Sequence, residues 1–138
     1  MPGPIANIFN KLLMRIMIAG PREDTSSALE IYLENRPNLE VVAKANDLQT
    51  TLNLVGETRP EIVLLDRNLT GHPLEELIQT LQQLDPQPGI ILINSEPEFK
   101  EAALAAGAQA VVVKGDPPKS LLLAIETVRQ KQGDDKQA

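Results

Sequence analysis

Five short apolar runs set the limits on what this chain can fold into: residues 15–19 (Arg-Ile-Met-Ile-Ala, halted by Gly20-Pro21), Leu39–Ala45, Glu61–Leu65, Gly89–Ile93 and Ala110–Val113. Each is near-continuous in Ile, Val and Leu rather than alternating, which is the pattern of a strand covered on both faces. The segments between them place apolar residues at helical spacing: Ala28, Leu29, Tyr32 and Leu33; Leu48, Thr51, Leu52 and Val55; Leu74, Leu77, Ile78 and Leu81; Phe99, Ala102, Ala103 and Ala106; Leu121, Leu122, Ile125 and Val128. Parallel strands need a crossover of a dozen or more residues, and these helices supply it. The chain is therefore predicted to be an α/β protein, a doubly wound five-stranded parallel sheet with helices on both faces.

Boundary residues fit that reading. Asp47 is placed to cap the second helix, Ser95 to start the fourth, and Asp116 precedes Pro117-Pro118 at the start of the fifth. Gly56 and Gly107 are placed to close the second and fourth helices, and Pro37 to end the first. In an open sheet of this kind ligands meet the carboxyl ends of the strands. The residues there are Gly20 and Pro21 after the first strand, Asp66 after the third, Asn94 and Ser95 after the fourth and Lys114 after the fifth. Strands three and five flank strand four, so the carboxylate of Asp66 and the ammonium of Lys114 can converge.

Composition removes several classes of function. With 13 Lys and Arg against 19 Asp and Glu, the net charge of −6 repels phosphate backbones and anionic lipid, so neither nucleic acid nor membrane is an expected partner of this chain. Phe9, Tyr32 and Phe99 are the only aromatic residues, too few for a base-stacking platform. The absence of cysteine and the single His72 exclude thiolate and multi-histidine metal sites. No apolar run approaches the roughly 20 residues of a membrane span, and a cytoplasmic location is expected. The first strand-to-helix turn, Ala19-Gly20-Pro21-Arg22-Glu23-Asp24, has one glycine where a dinucleotide fingerprint needs three, and it lacks the Gly-Lys-Ser/Thr of a phosphate-binding loop.

The stretches Leu64-Leu65-Asp66-Arg67-Asn68-Leu69-Thr70-Gly71 and Gly107-Ala108-Gln109-Ala110-Val111-Val112-Val113-Lys114 resemble the receiver domain of bacterial two-component response regulators, and Lys114 to Val128 looks most like the LuxR-type branch. The resemblance covers residue 14 to about residue 130. It implies a flavodoxin-like (βα)5 sheet in the order 2-1-3-4-5. It matches Asp66 to the phospho-accepting aspartate, Lys114 to the lysine that contacts the phosphoryl group, and Asn68 to the residue whose backbone carbonyl reaches magnesium.

Departures from the family pattern cluster at the same edge. Family members usually carry two acidic residues after the first strand to hold Mg²⁺, and this chain has Gly20 and Pro21 there. Losing one carboxylate within about 4 Å forfeits roughly 4 kcal/mol of attraction per unit charge at an effective dielectric of 20. Glu23 and Asp24 follow closely but are expected past the pocket. Asn94 and Val112 stand where the family has a hydroxyl residue and an aromatic ring that switch together; Thr70 and Leu74 also depart. A plainer reading of Asp66 is a strand-end carboxylate paired with Lys114, of Ser95 a helix cap, and of His72 and Arg67 solvated surface residues.

The expected function is a phosphorylation-independent pseudo-receiver: a binding module with no catalytic residue, no metal site and no cofactor. The alternative is a phospho-accepting receiver using Asp66 with Mg²⁺ and a histidine kinase as partner, possibly as the regulatory half of a DNA-binding transcription regulator. In the fifth helix the apolar residues exceed one stripe, so Leu122 or Leu123 is expected to face outward. With Val112 they define an expected partner or homodimer surface, on the helix 4, strand 5, helix 5 face that the resemblance implies. Three regions are expected: residues 1–13, where Ile5, Ile8, Phe9, Leu12 and Leu13 form an amphipathic stripe that suits a docking helix or a leader; a receiver-like domain over 14–132; and a polar tail over 133–138.

Overall fold

A computed structural model describes residues 13–69 and 74–137. In chain order the elements are β1 (Met14–Ala19), α1 (Glu23–Glu34), β2 (Leu39–Ala45), α2 (Leu48–Thr58), β3 (Ile62–Asp66), α3 (Leu74–Gln82), β4 (Gly89–Asn94), a 3₁₀ turn (Pro97–Phe99), α4 (Lys100–Ala106), β5 (Ala110–Val113) and α5 (Pro118–Gln137). The five strands form one parallel sheet in the order β2-β1-β3-β4-β5, the order expected above. The amphipathic stripe up to Leu12, and Thr70, Gly71 and His72, lie outside the described residues.

Why the strand runs are continuous follows from the packing. Ile16, Ile18, Leu64, Ile91 and Ile93 point to the layer of α1 and α5, where they meet Leu33, Leu121, Ile125 and Val128. Their neighbours Met17, Val63, Leu65, Ile90 and Leu92 point to the opposite layer, where α2, α3 and α4 supply Val55, Leu77, Ile78, Leu81 and Ala103. Each fully buried Leu or Ile contributes about 1.5–3 kcal/mol, so neither face could be polar. The order reverses between β1 and β3, and the crevice at their carboxyl ends lies beside Asp66.

Helix ends decide how the edge loops are held. Asp47 caps α2: its Oδ1 accepts the Thr50 N–H at 2.7 Å, and these bonds hold its carboxyl below the ordinary carboxylate value. Gly56 does not close that helix. α2 continues to Thr58 and ends on Arg59 in the left-handed region (φ 48°), because the Arg15 guanidinium donates to the carbonyls of Thr58 and Arg59 that the helix leaves open. Gly107, at φ 121°, does close α4, and Gln82 on α3 donates to its carbonyl at 3.1 Å.

Two further expectations change. Ser95 caps nothing: it is exposed, and the turn after β4 is made by Asn94, whose Nδ2 donates to the Glu96 carbonyl at 2.7 Å while its Oδ1 accepts the Glu96 N–H at 3.2 Å. Residues 133–137, expected as a polar tail, are helical, since the backbone of α5 runs to Gln137. One glycine among Gln and Lys residues costs a helix only about 1 kcal/mol and does not end it. No helix among the described residues is long and apolar enough to cross a membrane.

Candidate functional site

The carboxyl edge of the sheet brings Asp66 and Lys114 together. Asp66 ends β3, and its side chain is nearly buried; Oδ2 lies 2.9 Å from Lys114 Nζ and Oδ1 accepts the Asn68 N–H at 2.9 Å. Lys114 is fixed by its own backbone, which donates to the Asn94 carbonyl at 2.8 Å one residue beyond β5. The ammonium is partly exposed and the carboxylate is not, so the pair is stabilised by proximity and weakened by solvent on the lysine side. Asn68 enters the site through its backbone, and its side chain is exposed.

Gly20 is buried beside them. A Cβ at that position would meet Asp66 Cβ and Ser26 Oγ at 3.4 Å and Asp66 Oδ2 at 3.9 Å, so this is where a second carboxylate would stand, and the chain has none. Pro21 is exposed and offers no oxygen donor from its side chain. Glu23 and Asp24 face elsewhere. Asp24 binds its own surroundings, through the Thr25 N–H at 2.9 Å and Arg22 at 3.6 Å, while Glu23 borders a separate groove with Lys44 and Thr50. Among the described residues no three acidic or histidine side chains gather to hold a metal ion. Mg²⁺ takes near-octahedral oxygen ligation from one or two carboxylates, phosphate oxygens and waters, and Asp66 is the one carboxylate that this edge offers beside Lys114.

The polar groups next to this pair face elsewhere. Asn94 is buried, but its amide is engaged with the Glu96 backbone, and Ser95 points to solvent. Arg67 turns away from Asp66: its guanidinium lies 3.6 Å from the Phe99 ring centroid and 3.9 Å from Glu96 Oε2. Val112 pairs with Ile93 and packs into the α1/α5 layer, whereas Val111 faces α4. Strand alternation therefore makes Val111, not Val112, the β5 residue on the helix-four side; counting back from Lys114 with period two carries that signal.

On α5, Leu123 is 64% exposed, while Leu122 packs inward, so Leu122 and Val112 are core-facing rather than parts of the expected outer patch. Leu104 on α4 is exposed as well and was not singled out from the sequence. A residue the sequence reading also missed is Ser26, which is buried beside Gly20. Extending the stripe of Leu29 and Leu33 back by three residues finds it.

Known proteins share this fold. A family model described as the response regulator receiver domain matches residues 16–126. The oxygen regulatory protein NreC of Staphylococcus epidermidis is 30% identical over 122 residues, covering 85% of this chain and 55% of that protein. The transcriptional regulatory protein YhcZ of Bacillus subtilis is 29% identical over 111 residues, covering 79% of this chain and 52% of its own length. The chain thus spans about half the length of these relatives. Among solved structures, a LuxR-family two-component response regulator from an Aurantimonas species superposes with a TM-score of 0.77 at 30% identity, covering 84% of each chain. RcsB of Salmonella enterica, at 20% identity and a TM-score of 0.76 over 86% of this chain and 61% of that one, shares the fold. A doubly wound sheet in the order 2-1-3-4-5, an aspartate and a lysine joined at its carboxyl edge, and these relatives together place the chain in the response regulator receiver family, with kin in the LuxR-type branch.

Proposed function

We propose that this receiver domain passes its signal by protein contact without Mg²⁺-dependent phosphorylation of Asp66, as a pseudo-receiver. The observation that carries this reading is Gly20: the position bordering Asp66 Oδ2 bears no carboxylate, and none from Glu23 or Asp24 replaces it. In this reading the Asp66–Lys114 pair is structural, tying β3 to the loop after β5. The contacting surface is the side formed by α4, β5 and α5, with Leu104 and Leu123 exposed on the two helices. Its partner is another protein or a second copy, and the module works in the cytoplasm.

A second reading has its own support. The retained Asp66–Lys114 pair at 2.9 Å, and relatives that are response regulators, favour a phospho-accepting receiver served by a histidine kinase. Coverage of about half of each relative favours the regulatory half of a longer regulator with a DNA-binding half. The family evidence weighs toward this reading and the donor set weighs toward the first. Amide NMR with beryllofluoride and millimolar Mg²⁺ separates them. The pseudo-receiver reading expects no shifts at Asp66, Asn68 or Lys114; saturable shifts there that vanish in Asp66→Asn would overturn it.

A further inference from the structure

The layer of α1 and α5 is not closed. Between these two helices, above the sheet, lies a cleft of about 480 Å³ that opens at the carboxyl edge. That is within the range of small-molecule sites, about 300–1,000 Å³. Its floor is Ile18, Leu64, Ile93 and Val112, and its walls are Leu29 and Tyr32 on α1 and Pro117 and Leu121 at the start of α5. Besides Thr25 and the Tyr32 hydroxyl on the α1 side, the polar side chains of the lining are Arg22, Ser26, Asp66, Lys114 and Asp116. An apolar slot with a few polar groups is the form of a site for a molecule with an apolar body and one polar head.

The mouth selects the head. Asp66, its buried carboxylate, is engaged by the Asn68 N–H and by Lys114, whereas Asp116 is exposed and accepts the Val113 N–H at 3.3 Å on Oδ2. Its cations carry spare donors. Lys114 presents three ammonium hydrogens and, among the described residues, meets Asp66 alone, while Arg22 is exposed and lies 3.6 Å from Asp24. An incoming acceptor is therefore matched by Lys114 and Arg22.

We propose that this cleft binds a small, largely apolar organic acid, with its carboxylate on Lys114 and Arg22 and its body between Leu29 and Leu121. The proposal rests on the pseudo-receiver reading, in which no phosphoryl group on Asp66 competes for Lys114. It would provide the domain with a chemical input at the same edge of the sheet.

The test is an amide NMR titration of the full chain with naphthalene-2-carboxylate and, as the uncharged control of equal shape, 2-naphthylmethanol. The acid is expected to give saturable shifts at Gly20, Leu29, Val112 and Leu121. Lys114→Gln is expected to weaken the acid about tenfold while leaving the alcohol unchanged, the size of a charge-assisted hydrogen bond that is partly exposed. Val112→Phe, filling the floor, is expected to abolish binding of both with the spectrum otherwise preserved; should it fail to fold, Leu29→Trp fills the cleft from the α1 wall. Three outcomes overturn the proposal: no saturable shift at millimolar acid, shifts centred away from the cleft, or a Lys114→Gln effect equal for acid and alcohol. Cleft shifts that depend on protein concentration without added probe also overturn it, since the occupant is then a second copy.

Discussion

At the scale of residues, the chemistry of this edge turns on what Gly20 lacks. Its backbone is not in the left-handed region, so an aspartate is sterically admissible there, with its Cβ at 3.4 Å from Asp66 Cβ and Ser26 Oγ. Gly20→Asp would set a second anion beside Asp66. Two unit charges about 4 Å apart repel by about 4 kcal/mol at an effective dielectric of 20, part of which Lys114 offsets. Gly20→Asp is therefore expected to melt lower than the parent in chelator and to recover with Mg²⁺, by about 2.7 kcal/mol at a hundredfold excess over the dissociation constant. The parent is expected to melt at the same temperature with and without Mg²⁺. Thermal melts of both proteins check this. Asp66 and Lys114 were legible in the sequence because a strand end fixes where a side chain starts. The engaged amide of Asn94 was not, because a rotamer choice leaves no trace in spacing.

At the scale of elements, close approach and helix ends carry the stability. Gly89 begins β4 directly under α5, and a Cβ there would collide with Val128 and approach Gln109 Oε1 at 2.9 Å. Gly89→Ala is expected to cost about 1–3 kcal/mol as overpacking, read as a lower urea midpoint at unchanged slope. Gly107→Ala combines a collision with Gln82 and φ 121°, and is expected to cost at least about 1 kcal/mol by the same measurement. The Asp47 cap gives a pH signature. The Thr50 bonds lower its folded value below the unfolded one, so its stabilisation is present above the ordinary carboxylate range and is lost as pH falls through the folded value. Asp47→Asn is expected to flatten that part of the acid dependence of the urea midpoint. Strand and helix existence was legible from periodicity, and so was the Asp47 cap. The end of α2 was not, because Arg15, distant in sequence, supplies the donors that carry the helix past Gly56.

At the scale of the molecule, the doubly wound architecture was legible because both faces of every central strand are apolar, while the order 2-1-3-4-5 rested on family resemblance and is now seen in the sheet. The outer patch was only half legible: excess apolar residues in α5 signalled that one leucine faces out, and the fold selects Leu123. Leu123→Glu is expected to weaken self-association or partner capture while leaving the melting temperature within about 2 °C, since an exposed substitution changes stability by about 0.5 kcal/mol or less. Sedimentation velocity against concentration, paired with a melt, checks both halves of that expectation. The proposed reading is that the receiver fold signals here without phosphoryl chemistry at Asp66. It is tested most directly by intact mass after incubation with phosphoramidate and millimolar Mg²⁺, with Asp66→Asn alongside. The account expects no phosphoryl adduct on either protein; an adduct on the parent that is absent from Asp66→Asn would contradict it.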